Sequence, residues 1–201
     1  PNNSTNGIAN HQSSIFLFNP ESGQCSSLLA GNTITALRTA AASAVSIDRL
    51  SISGPKTLGL LGTGHQSVFQ LEAALRVRAF EEVIIWNRSG RDLQKHFAMA
   101  DYYGVRCREA DLETVVKESQ VIITITSCFE PLFPSQWVNG GTHIAAMGTD
   151  TRGKQELDPA LSLRSQRFTD EIAQSRTIGE FQHVPDDAPI VTIGSVIEGT
   201  A

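Results

Sequence analysis

Cysteine is scarce in this chain of 201 residues, and the three present, Cys25, Cys107 and Cys128, are scattered. An odd and dispersed set argues against a disulfide framework or a cysteine metal site, so the expectation is buried, reduced thiols. Basic charge is in deficit: 16 Lys and Arg stand against 21 Asp and Glu, a formal net charge of -5. Nucleic acids and anionic membranes are bound by basic faces that displace counterions, so neither is expected as a partner. Long apolar runs are missing, the longest falling far short of the roughly 20 residues that span a bilayer. The opening stretch Pro1 to Asn6 has neither the basic region nor the apolar core of a signal peptide. Internal repeats and low-complexity segments are absent too. His11, His65, His96, His143 and His183 show no ligand spacing, so no metal is expected, and no serine or cysteine has a nucleophile's context. These absences lead to the expectation of a soluble, cytoplasmic protein.

What is present is ordinary for a globular chain, with 40% hydrophobic and 18% charged residues, and the length allows one domain with an extension or two small ones. The organising stretch is Thr57 to Ser89. An apolar run, Thr57 to Leu61, meets Gly62-Thr63-Gly64-His65-Gln66-Ser67, then apolar residues at helical spacing, then a second apolar run, Val83 to Trp86. Strand, glycine turn, helix, strand is the first unit of a dinucleotide-binding fold. Gly62 permits the tight turn, Gly64 lets a pyrophosphate approach the backbone, and Ser67 allows close helix–strand packing.

Upstream, residues 13–18 and 24–30 read as a hairpin closed by Asn19-Pro20-Glu21-Ser22-Gly23. A helix follows to about Leu50, with Asn32 or Thr33 as its cap. Arg38 is its one strong cation in a small-residue stretch; either it lies on a solvated face, or close packing through Ala40, Ala41 and Ala42 leaves it in a confined space. Downstream, a helix is expected over 89–103, a strand over 105–107, a helix over 111–118, a strand over 121–126 and another over 142–147. A charged loop then leads to a short helix over 159–163 and a strand over 166–169; the tail, with its run from Ile193 to Ile197, is undetermined. The alternation predicts a Rossmann-type, doubly wound α/β fold with a parallel sheet.

Ligands in such sheets bind beyond the carboxyl ends of the strands, which marks Gly62 to Gln66, Asn87 to Ser89, Thr126 to Cys128 and Met147 to Asp150. After the second strand an NAD site usually has an acid; Asn87-Arg88-Ser89 stands here instead and suits a 2′-phosphate. NADP(H) is therefore favoured over NAD(H), which stays open, as does the reading of Arg88 as a surface-loop residue. Asp150 sits among Arg152, Lys154, Glu156 and Asp158, which reads equally as a solvated charged loop or as a general acid–base group beside a nicotinamide. His143 reads as structural, and His65 as contributing its backbone.

Ile34 to Ala41, Leu61 to Ser67, Trp86 to Ser89, Gly141 to Leu157 and Ile178 to Gln182 resemble the ornithine cyclodeaminase/mu-crystallin family. The resemblance implies a homodimer of two-domain subunits. Residues 1–50 would be part of a mixed α/β substrate and dimerisation domain, and 51–201 the NAD(P)-binding domain leading back toward it. It implies that Arg38 binds a substrate carboxylate, that Asp150 is the acid–base residue, and that Gly62, Gly64, His65, Gln66, Asn87, Arg88 and Ser89 hold the dinucleotide; Thr63 in the turn and Thr126 and Met147 at the strand ends complete the candidate cofactor set. It further implies family segments at both ends that are missing here, one of them carrying a lysine and a second arginine. The implied reaction is NAD(P)-dependent hydride transfer at the carbon–nitrogen bond of a small amino or imino acid. A reductase or dehydrogenase is the first reading, with a cyclodeaminase releasing ammonia, or an NADPH-regulated binding protein, as alternatives.

Overall fold

The computed structural model describes residues 12–54 and 56–201. Nine strands and seven helices follow one another in these residues. They are β1 (Ser14–Phe18), β2 (Cys25–Ala30), α1 (Gly31–Leu50), β3 (Thr57–Leu61), α2 (Ser67–Val77), β4 (Glu82–Trp86), α3 (Gln94–Tyr102), β5 (Arg106–Glu109), α4 (Leu112–Glu118), β6 (Val121–Thr124), β7 (His143–Ala146), α5 (Pro159–Arg164), β8 (Phe168–Thr169), α6 (Ile172–Thr177), β9 (Val191–Thr192) and α7 (Ile193–Glu198). Five of the strands form one sheet in the order β5-β4-β3-β6-β7, and every pairing in it is parallel. The chain thus runs outward from β3 to one edge, returns, and runs to the other, which opens a crevice beside β3 where the direction reverses.

The central strands read as near-continuous apolar runs because both faces of a parallel sheet are covered. Leu58, Leu60, Val83, Ile85, Val121 and Ile123 are fully buried on one face, beneath Ile47 of α1 and Leu71 and Ala74 of α2. Leu61, Ile84 and Ile122 are fully buried on the other, against Val115 and Val116 of α4 and against Phe133 and Leu161. Each such side chain is worth about 1.5–3 kcal/mol on burial. His143, at the start of β7, bonds through Nε2 to Ser46 of α1 at 2.9 Å, and burial lowers its pKa to about 4. It is a neutral strut between helix and strand.

Several expectations are corrected. Helix α1 starts at Gly31, with Ala30 at the cap position and no side-chain cap. The Asn32 carboxamide instead accepts from the Ser13 backbone at 2.8 Å, tying the hairpin to the helix. Helix α3 begins at Gln94 rather than 89, because the Asn87 side chain holds the Arg91 backbone at both N–H and C=O and Gly90 takes a positive φ of 59°. The strand expected over 166–169 shrinks to β8 and pairs with β9, apart from the main sheet. The Arg167 guanidinium draws it there, donating to Pro189 O at 2.9 Å and to Ser162 O at 2.7 Å. Helix α6 had no expectation; Glu171 caps it, accepting from Ala173 N and Gln174 N. Cys25 is exposed rather than buried, since both faces of the β1–β2 hairpin are largely open. Among the described residues no helix is long and apolar enough to cross a membrane.

Candidate functional site

The glycine turn leaves β3 at Gly62, whose φ of +112° suits glycine alone, and a Cβ there would meet Ile125 O at 2.6 Å. Gly64 has open space, a Cβ there meeting only Arg91 Nη1 at 3.9 Å. Helix α2 follows with no side-chain cap; its first N–H, that of Ser67, is taken by Gly64 O at 3.1 Å, and a helix start without a cap leaves the next amides to water or a ligand. Ser67 is fully buried; its hydroxyl donates to Gly64 O at 2.6 Å and receives His96 Nε2–H at 2.8 Å. Burial lowers the pKa of His96, which therefore stiffens the turn as a neutral imidazole. The exposed His65 ring stands 5.5 Å from that of Phe69, one helical turn on.

At the end of β4, Asn87 is a fastener. Its Oδ1 accepts from Thr63 Oγ1 at 3.0 Å and from Arg91 N–H at 3.1 Å, while Nδ2 donates to Arg91 O at 2.8 Å. Arg88 is exposed and reaches across the crevice to Cys128 Sγ at 3.6 Å, and Ser89 is exposed beside it. Arg91, which carried no expectation, is the cation directed toward Gly64.

A groove of about 1650 Å³ runs past these strand ends, lined by Arg38, Gly64, His65, Gln66, Thr126, Met147 and Asp150. Gly62, Thr63, Asn87, Arg88 and Ser89 are not among its lining. Arg38 stands exposed on the α1 wall, not in a confined space, because the buried stripe of α1 runs through Ala36, Ala40, Ser43, Ala44 and Ile47. Asp150 Oδ1 takes Lys154 Nζ at 2.6 Å; the lysine is mostly covered and the carboxylate 72% exposed. Its Oδ2 makes no hydrogen bond to another described residue, so on this groove-lining side chain one carboxylate oxygen is left without a protein partner.

The 150–158 loop is not a uniformly solvated run. Glu156 is fully buried, and Glu180 nearly so. Glu156 Oε1 accepts from Thr126 N and Oγ1 at 2.6 and 2.7 Å, and Oε2 from Thr124 Oγ1 and Gly148 N at 2.6 and 2.8 Å. Burial raises its pKa, against the pull of these donors. Glu180 accepts from Thr149 Oγ1 at 2.5 Å and Leu157 N at 2.7 Å. Farther along the tail, Gln182 Oε1 takes Gly153 N–H at 2.7 Å, and His183 Nε2–H donates to Lys154 O at 2.6 Å. No local signal separated Glu156 from Arg152 or Asp158; its partners lie up to 32 residues away.

The family model described as ornithine cyclodeaminase/mu-crystallin family matches residues 1–201. The chain is 52% identical over 183 residues to iminosuccinate reductase of Paracoccus denitrificans, covering 91% of this chain and 57% of that protein. It is 35% identical over 167 residues to ketimine reductase mu-crystallin of Rattus norvegicus, covering 83% of this chain and 53% of the relative. The chain thus spans a little over half the length of these curated relatives. In structure it matches the Paracoccus denitrificans reductase in complex with NAD+ with a TM-score of 0.90 at 48% identity, covering 100% of this chain and 64% of that one. It matches Δ1-pyrroline-2-carboxylate reductase of Thermococcus litoralis, in complex with NADH and L-proline, with a TM-score of 0.90 at 25% identity, covering 99% and 64%.

Proposed function

Because this chain belongs to the ornithine cyclodeaminase/mu-crystallin family, we propose that the protein reduces the carbon–nitrogen double bond of a small imino acid with a nicotinamide dinucleotide. The observation that carries this reading is one groove holding the Gly64–Gln66 turn, the Arg38 guanidinium and the half-free Asp150 carboxylate. The open space over Gly64 and the uncapped start of α2 fit a pyrophosphate. Asn87, Arg88 and Ser89 then serve the adenosine end, and Thr126 and Met147 the nicotinamide end. The cofactor, when bound, supplies the hydride. Arg38 takes the substrate carboxylate. Asp150 keeps a proton on the substrate nitrogen, which leaves its carbon electron-poor and ready to accept the hydride. The similarity to iminosuccinate reductase makes a dicarboxylic imino acid the first substrate to try.

Arg88 and Ser89, with no acid beside them at the end of β4, support a preference for NADP(H); the NAD+ complex of the Paracoccus denitrificans relative makes NAD(H) the alternative. We place the hairpin β1–β2, which exposes Phe16, Phe18 and Leu28, in a second domain that covers the substrate and pairs two subunits. The test supplies the full-length protein with NAD(P)H, a 2-oxo acid and ammonium, which form the imine in solution. Dinucleotide oxidation that requires both reagents is the expected result. No oxidation, with ammonia and proline released instead from ornithine and catalytic NAD+, would overturn it in favour of a cyclodeaminase.

A further inference from the structure

Two buried carboxylates, Glu156 and Glu180, belong to no role assigned so far. They sit at the carboxyl ends of β6 and β7, where the groove is, and not in the middle of the sheet. Four donors converge on Glu156, two per oxygen, and on each oxygen one of the two is a backbone N–H: Thr126 N on Oε1 and Gly148 N on Oε2. A hydroxyl can turn round; a backbone N–H cannot. A glutamine in this place would have to aim its NH2 at one of these amides, so either Thr126 or Gly148 would lose its partner. The position demands a carboxylate and not merely a polar group of that shape. A buried carboxylate costs more than an apolar side chain of equal volume, so the fold alone gives little reason for one here. A Cβ on Gly148 would run into the Glu156 carboxylate, so the two have closed on each other as far as atoms allow. Glu180 carries the Glu156 and Leu157 backbone amides at 3.2 and 2.7 Å, and its other partner, Thr149, adjoins Asp150.

We propose that Glu156 and Glu180 are positioning residues that hold the Asp150 loop at a set distance from Thr126, so that the proton-handling carboxylate meets the reacting nitrogen beside the nicotinamide. The inference rests on the role given above to Asp150. Thr126 and Gly148 are bridged by one side chain, so a change there moves the two halves of the site relative to each other, and displacement near 1 Å can cost a hundredfold in rate.

The test compares full-length wild type, Glu156→Gln and the milder Thr124→Val, which keeps its volume and removes one donor to Glu156. In Glu156→Gln we expect amide exchange over residues 148–154 to quicken at least tenfold, with β3 and α2 unchanged. Its kcat should fall at least thirtyfold, with dinucleotide Kd within threefold of wild type. Thr124→Val should show the same pattern at smaller size, and should carry the test if the glutamine variant does not fold. Unchanged exchange over 148–154, or a loss of dinucleotide binding in step with kcat, would overturn the positioning role. An inactive wild type with quickened exchange in the variants would instead sink the assigned reaction and leave the structural coupling standing.

Discussion

At the scale of single residues, the site divides into groups whose chemistry is decided locally and groups whose chemistry depends on company. Gly62 and Gly64 act through the backbone, and their tasks follow from glycine's missing side chain. Asp150 depends on company: Lys154 holds one oxygen at 2.6 Å and leaves the other free. Replacing Asp150 with Asn keeps the shape and removes the charge, so kcat for imine reduction should fall at least a hundredfold with NAD(P)H affinity unchanged. Stopped-flow turnover alongside dinucleotide titration checks this, and an active variant refutes the role. Arg88 is exposed and its guanidinium is engaged only by Cys128 among the described residues, so it is available to a 2′-phosphate. Arg88→Gln should weaken NADPH binding about tenfold or more, the worth of one charge-assisted contact, and leave NADH alone. Equal losses for the two cofactors would assign Arg88 to the adenosine or to the loop. Neither Arg91 nor Glu156 was marked in advance. In sequence both belong to polar runs, and only the proximity of Gly64 in one case and of Thr124 and Thr126 in the other distinguishes them.

At the scale of elements, types were readable and ends less so. The apolar runs of β3, β4 and β6 have no polar alternation because helices cover both sides, which is itself the mark of a parallel sheet. The start of α3 moved because Asn87, a side chain in the preceding loop, holds the Arg91 backbone. Between α1 and β7 lies His143, with a pKa lowered to about 4 by burial. An unfolded histidine binds its proton near pH 6.5, so the contribution of neutral His143 is complete above that value and is lost as pH falls from 6.5 toward 4. The loss is about 3 kcal/mol at its limit. Urea unfolding at pH 7 and pH 4.5 should therefore show a larger drop for wild type than for His143→Gln, which retains a partner for Ser46. Glu156, raised by burial, titrates in the opposite sense in both proteins and cancels in the comparison. Equal drops would mean that His143 is hydrated and not a strut.

At the scale of the whole molecule, the hairpin β1–β2 stands out. Phe16, Phe18 and Leu28 are all more than half exposed on it, whereas the sheet's own apolar residues are covered on both faces. Apolar surface of this kind is usually covered in the working assembly. Light scattering on the full-length protein should give twice the subunit mass, and Phe16→Asp with Phe18→Asp should shift it toward the monomer. A monomeric wild type would remove the assembly from the proposal.

The sequence by itself determined the order and kind of the main elements, the parallel sheet and the place of the glycine turn, because apolar periodicity and glycine geometry act over a few residues; Asp150 and Arg38 became candidates through the family resemblance, since the local pattern of each also reads as solvated charge. Only the tertiary structure decided which charge in the 150–158 loop is buried, that β8 leaves the main sheet for β9, and that Arg91 stands over the turn. Those outcomes turn on hydrogen bonds between segments distant in the chain, such as Glu180 with Leu157 or Arg167 with Pro189. The energy of a buried polar group is set by the partners that reach it, and no local pattern records which segments those are.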